Sequence, residues 1–69
     1  MLKKRSFSLS GHRTSVALEV EFWAVIESQA KKSGRSLAAL VGEIDRERGA
    51  RPLASALRLR ALAAAMHRT

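Results

Sequence analysis

The sequence predicts a mostly α-helical chain with one short strand: a ribbon-then-helices unit completed by a second copy through an intermolecular two-stranded antiparallel ribbon, with a C-terminal helix appended. Three observations lead there. Polar and apolar residues alternate over Thr14 to Leu18, the mark of a strand with one buried and one exposed face. Two amphipathic helical patterns follow, joined at Gly34-Arg35-Ser36. The chain has only 69 residues and no cysteine, and a domain this small usually needs disulfides, a metal or association with other chains to hold its core. His12 and His67 stand at opposite ends without ligand spacing, which leaves association.

The strand motivates the dimer. Val16 and Leu18 point one way; Arg13, Ser15 and Ala17 point the other. No second strand lies downstream, and a lone strand leaves backbone donors and acceptors unpaired on both edges. Two copies of Thr14–Leu18 laid antiparallel repair this. A two-stranded ribbon with Arg and Ser on its open face fits the major groove of DNA.

Charge agrees with a polyanionic partner. The formal net charge is +7 and is unevenly spread. Lys3, Lys4, Arg5 and Arg13 form a front without acids. All six acids lie between Glu19 and Glu47, and Arg48, Arg51, Arg58, Arg60 and Arg68 make a basic tail. Basic surfaces of this kind meet nucleic acid. No apolar run approaches the ~20 residues of a membrane span. The basic N-terminus lacks the apolar segment of a secretion signal, and the missing cysteines fit a reducing cytoplasm.

Residues 1–12 read as a basic N-terminal arm. Phe7 and Leu9 alternate with Ser6, Ser8 and Ser10, so a hairpin folding back around Gly11-His12 is the alternative. One continuous strand is excluded: Phe7 and Leu9 are odd-numbered, Val16 and Leu18 even-numbered, and the phase must change near Gly11. The arm is the reading adopted. Glu19 and Glu21 open the first helix, suited to its positive end. Phe22, Val25, Ile26 and Ala30 form an apolar stripe with Trp23 at its border. Lys31 and Lys32 close the helix, and Gly34 stands where a left-handed cap is expected.

Ser36 is the expected N-cap of the second helix, on which Leu37, Leu40, Val41 and Ile44 repeat the helical spacing. Gly42 inside it suggests a close helix–helix contact. Gly49-Ala50-Arg51-Pro52 reads as a linker, and Pro52 suits a helix start. From Leu53 to Met66 the chain is rich in Ala, Leu and Arg. Leu53, Ala56, Leu57 and Arg60 share one side, while Leu59, Leu62 and Met66 form a second apolar line. A helix apolar on two sides normally buries itself against a partner. The divisions are therefore 1–12 arm, 13–48 ribbon and two helices, and 49–69 helical extension. No internal repeat stands out beyond the alanine run 63–65.

The order strand, helix, Gly-Arg-Ser, helix resembles the ribbon-helix-helix family of bacterial DNA-binding proteins, sharpest over Ala30-Lys31-Lys32-Ser33-Gly34-Arg35-Ser36-Leu37. The block Gly-His-Arg-Thr-Ser-Val-Ala-Leu-Glu, followed by Glu21-Phe22-Trp23, is similar to a small subgroup with a C-terminal helical extension. The resemblance implies base reading by Arg13, Ser15 and Ala17. It also implies a phosphate grip by Ser36 and the amides from Leu37 on; charge and position add Lys3, Lys4, Arg5, His12 and Arg35 as backbone contacts. It puts Val16 and Leu18 in the dimer core, to which the helical spacing adds Phe22, Trp23, Val25, Ile26, Leu37, Leu40, Val41 and Ile44. Two departures matter: Ala17 offers no hydrogen bond, and Glu19 replaces the proline common after the strand.

The expected function is that of a homodimeric transcription regulator, a repressor by occlusion, with dimers of dimers on DNA and a location in the cytoplasm at the nucleoid. The alternative is an antitoxin whose residues 50–69 bind a toxin; a third is a structural dimer that never touches DNA. No catalytic set, cofactor site or metal cluster appears at workable spacing, so no enzyme, no cofactor and no membrane partner are expected.

Overall fold

Two strands, not one, begin the chain. The computed structural model describes residues 1–67, so Arg68 of the basic tail and Thr69 lie outside the described residues. Strand β1 (Leu2–Leu9) pairs antiparallel with β2 (His12–Glu19), and helices α1 (Val20–Lys32), α2 (Leu37–Glu47) and α3 (Leu53–Met66) follow. The expected N-terminal arm is thus corrected to a hairpin. Its turn is Ser10-Gly11 rather than Gly11-His12, with both φ angles positive, 52° and 80°. That is the backbone of a tight two-residue connection whose twist matches the strands it joins. Within the one chain, β1 and β2 form a two-stranded antiparallel sheet.

The register resolves the phase conflict. Arg5 lies opposite Val16, Phe7 opposite Thr14 and Leu9 opposite His12. Odd positions of β1 therefore share a face with even positions of β2. Phe7, Leu9, Val16 and Leu18 all become buried on one side.

That side packs against α1, α2 and α3. In α1 the buried residues are Trp23, Ile26 and Ala30, while Phe22 and Val25 are partly buried against the core. The stripe expected on Phe22 is rotated by one position, because the indole of Trp23 is the group large enough to fill the space beneath β1. Its Nε1–H donates to the Lys3 carbonyl at 2.8 Å, and its ring lies 5.9 Å from that of Phe7 and 5.2 Å beneath the Arg5 guanidinium. Strand β2 runs directly into α1 at Val20, so Glu19 ends the strand rather than opening the helix.

Helix α1 stops at Gly34, whose φ of 69° is readily reached without a side chain. The Arg35 amide donates to the Ala30 carbonyl and the Gly34 amide to that of Lys31, closing the last turn as a left-handed cap does. Ser36 caps α2 by accepting from the Ala39 amide at 3.1 Å. Leu40, Val41 and Ile44 are buried, and Leu37 packs against them at the rim. Gly42 does not mark a helix crossing: a Cβ there would meet Leu9 and Arg46 at ordinary contact distance.

Arg48 ties the α2–α3 connection, donating to Asp45 at 2.7 Å and to the Arg51 carbonyl at 2.7 Å. Helix α3 then lies on α1, α2 and β2, burying Leu53, Ala56, Leu57 and Ala61. Ala61 thus takes the inner place expected for Arg60. One core serves the hairpin and all three helices. The second line of α3 stays outside, with Leu59 45%, Leu62 53% and Met66 74% exposed.

Ion pairs fasten α3 at two points. Arg58 donates to Glu19 at 3.0 Å; Arg60 donates to Glu43 at 3.0 Å, and Glu43 also receives Arg35. Glu43 is held below the usual carboxylate range by Arg35 and Arg60, and Glu19 by its own backbone amide and Arg58. A depressed carboxyl contributes stability that is full above its unfolded value and lost as pH falls through the folded one. Acidification through that window is expected to loosen α3. Glu43→Gln should flatten the acid limb of a melting-temperature profile, and an unchanged acid limb would remove Glu43 from this role.

Candidate nucleic-acid interface

The outer face of the hairpin is the side no helix covers. Alternation brings Lys4, Ser6 and Ser8 of β1 onto it beside Arg13, Ser15 and Ala17 of β2, in the cross-strand pairs Lys4–Ala17, Ser6–Ser15 and Ser8–Arg13. Five of these side chains are exposed and Ala17 is half-buried. The Ser6 and Ser15 hydroxyls meet at 2.9 Å in the middle of the face. The surface is therefore basic at two diagonal corners and small and hydroxylated between them. Such a surface carries little bulk and offers hydrogen-bond donors of the kind that pair with base edges.

Lys4, Ser6 and Ser8 of this face lie outside the expected reading set of Arg13, Ser15 and Ala17, and Lys4 stands in the sequence reading as a backbone contact of the N-terminal arm. Their signal was present: the apolar alternation of Phe7 and Leu9 requires the intervening serines to face outward together.

The other backbone-contact candidates divide. Lys3 is exposed but stands opposite Leu18, on the inward side of the register, where its carbonyl anchors Trp23. His12 is exposed beside the turn, opposite Leu9. Arg5 is drawn away from the outer face, donating to Glu27 at 2.8 Å while covering Trp23. Arg35 is engaged by Glu43 and by the Ser33 hydroxyl.

A second zone lies at the α1–α2 join. Glu27, Lys31, Arg35, Ser36 and Leu37 line one shallow hollow there. Because Glu27 also holds Arg5 of β1, the hollow adjoins the ribbon through that ion pair. The first amides of α2 carry the helix's partial positive charge, and the Ser36 hydroxyl is exposed among them. Among the described residues there is no group of three or more His, Cys, Asp or Glu side chains that could hold a metal ion.

A two-stranded ribbon with a polar, basic outer face, carried on a helical base whose second helix begins at an open N-cap, defines a nucleic-acid-binding class of fold. Family comparison gives the particular one: the ribbon-helix-helix domain matches residues 2–65, and the chain belongs to that family. It is thereby placed among DNA-binding regulators in the general sense. The matched span takes in β1 and nearly all of α3. No curated protein and no solved structure matches the chain.

Proposed function

We propose that this protein is a sequence-specific, double-stranded-DNA-binding transcription regulator, acting as a repressor by occlusion, that inserts its ribbon into the major groove. The observation that carries the reading is the outer ribbon face, where Arg13 and Ser15 are exposed together over a fully packed back. Arg13 reaches guanine O6 and N7, Ser15 reads permissively, and Ala17 contributes apolar contact to a thymine methyl. Ser36 and the amides at Leu37 grip a phosphate. Lys3, Lys4, His12 and, when released from their acids, Arg5 and Arg35 add salt-sensitive affinity.

The antitoxin reading is weaker. It calls for a tail held ready for a toxin, whereas α3 packs on its own chain through Leu53, Ala56, Leu57 and Ala61. The exposed line of Leu59, Leu62 and Met66 is the feature in its favour. The same line serves a homodimer, and dimers of dimers on DNA, if a second copy covers it. Strand β1 pairs one edge of β2, and the other edge of β2 carries no further strand among the described residues, so a second copy can still add to the sheet there. No helix among the described residues is long and apolar enough to cross a membrane. The proposed location is the cytoplasm, at the nucleoid.

Selection of bound sequences from a random duplex pool tests this reading. Arg13→Ala is expected to lose ~1–3 kcal/mol at the selected site and to relax one base position. Ser36→Ala is expected to weaken all sequences alike. If the protein enriches no sequence, or if Arg13→Ala binds the selected site as tightly as the parent does, the ribbon assignment is wrong.

A further inference from the structure

Helix α3 has an outer face unlike those of the other two helices. Its exposed residues are Leu59, Leu62, Ala63, Ala65 and Met66, and every one of them is apolar. The outer faces of α1 and α2 carry charge instead, with Glu21, Lys31 and Lys32 exposed on the first and Arg46 and Glu47 on the second. Arg58 and Arg60 are the only charged residues of α3, and both turn to its flanks. Arg58 lies half-buried against Glu19 and over the Phe22 ring, while Arg60 pairs with Glu43 and Glu47 of α2. The chain's own acids thus take up all the charge that the helix carries.

The exposed residues also form a line. Ser55, Leu59, Leu62 and Met66 follow one another at intervals of four, three and four. That spacing keeps one edge of a helix against a neighbouring helix along its length. Leu57 and Ala61, which hold α3 to its own core, belong to a different line. The helix therefore has two seams, one closed by its own chain and one open.

We propose that the open seam of α3 is a self-docking surface, on which α3 of a second copy lies antiparallel about a two-fold axis at Leu62. Charge selects this occupant. With Arg58 and Arg60 already paired, α3 has nothing to attract an acidic or a basic partner. An uncharged apolar stripe fits another of the same kind, and a second copy brings one of identical length and spacing. Charge also selects the direction. Parallel packing would lay Arg58 beside Arg58 of the second copy, whereas antiparallel packing separates them and joins opposite ends of the two helix dipoles. Leu59 then lies near Met66 of the second copy, and Ala63 and Ala65 add little bulk to keep the helices from an axial separation of about 8–10 Å. The contact is small. Two half-exposed leucines, a methionine and two alanines fall well short of the ~800 Å² that a stable interface takes from each partner, so the pair is weak and reversible. None of its residues belongs to the outer face of the ribbon. Two joined copies consequently carry two ribbons in one particle, and the pairing holds whether or not those ribbons read DNA.

The chain contains no cysteine, so single cysteines report this contact cleanly. A disulfide needs its two Cα atoms within about 7 Å. Leu59→Cys, Leu62→Cys and Met66→Cys, with Arg46→Cys on the outer face of α2 as the control, are first shown to melt like the parent. Each is then exposed to oxidised glutathione at high protein concentration, alone and in pairs. Leu62→Cys is expected to form disulfide-linked dimers several-fold faster than Arg46→Cys. Leu59→Cys and Met66→Cys should cross-link with each other in a mixture faster than either does alone. Self-linkage of all three line positions at equal rates would mean parallel helices and overturn the geometry. If Leu62→Cys links no faster than Arg46→Cys, no second copy lies on this line, whether another protein covers it or none does, and the inference falls. Duplex selection is independent of that outcome, so the DNA-reading function would stand.

Discussion

Trp23→Ala is expected to cost most of the protein's stability. The side chain is 1% exposed and belongs at once to the core, to the hairpin through its bond to the Lys3 carbonyl, and to the stack formed by Phe7 and Arg5. Truncating a buried tryptophan to alanine costs about 3–5 kcal/mol. At roughly 0.05–0.15 kcal/mol per residue, a chain of this size holds only about 3–10 kcal/mol in total. The variant should therefore melt at least ~12 °C lower, at roughly 4–8 °C per kcal/mol, or fail to fold. Trp23→Phe separates the contributions: it keeps most of the apolar volume but removes the Nε1–H. Its loss should be smaller, with the Lys3 carbonyl deprived of a bond worth about 1 kcal/mol, and amide exchange should quicken first in β1. A Trp23→Ala chain that melts like wild type would mean that β1 is held by something other than this residue.

That same residue marks where sequence reasoning reached and where it stopped. Local signals were legible because their chemistry is local. Gly34 takes the left-handed cap, Ser36 bonds the Ala39 amide, and the α2 stripe of Leu40, Val41 and Ile44 faces inward as its spacing says. Trp23 was placed at a stripe border because periodicity alone cannot say how far a helix is rotated. Its rotation is fixed by β1, whose pairing was not assumed. The hairpin itself was within reach. Apolar residues at odd positions before Gly11 and even positions after it can share a face only if paired positions differ in parity, and a two-residue turn imposes that. The unpaired edge and the family resemblance both direct attention to a partner strand in another chain, and neither assigns β1 a place. Ser6 and Ser8 are what this leaves out: their alternation with Phe7 and Leu9 puts them on one outward face, and the hairpin sets that face beside Arg13 and Ser15. The inward use of Arg5, Arg35, Arg58 and Arg60 was not legible either. Each is drawn to a carboxylate brought near by folding, so a count of basic residues overstates the charge offered to DNA.

Leu57→Glu is expected to abolish folding, because α3 is part of the core rather than an appended arm. Leu57 is fully buried on α3, the helix that packs against α1, α2 and β2. A carboxylate placed there lacks the cationic partner a buried charge requires and costs several kcal/mol even after its pKa rises. Removing residues 50–69 should act in the same direction. Burying a leucine contributes about 1.5–3 kcal/mol, so losing Leu53 and Leu57 together approaches the total stability of so small a chain. Arg58→Ala should do much less, since its pair with Glu19 is more than one-third exposed on both sides and solvent screens such a pair. Leu62→Glu is the control that gives the result meaning. That side chain is 53% exposed, so the substitution should leave the monomer's melting unchanged. If a second copy covers the Leu59–Leu62–Met66 line, Leu62→Glu should also shift sedimentation towards the monomer without loss of helix. A truncated chain that keeps the wild-type circular dichroism and a cooperative melt would sink the claim that α3 completes the core, and would return residues 50–69 to the role of a partner-binding arm.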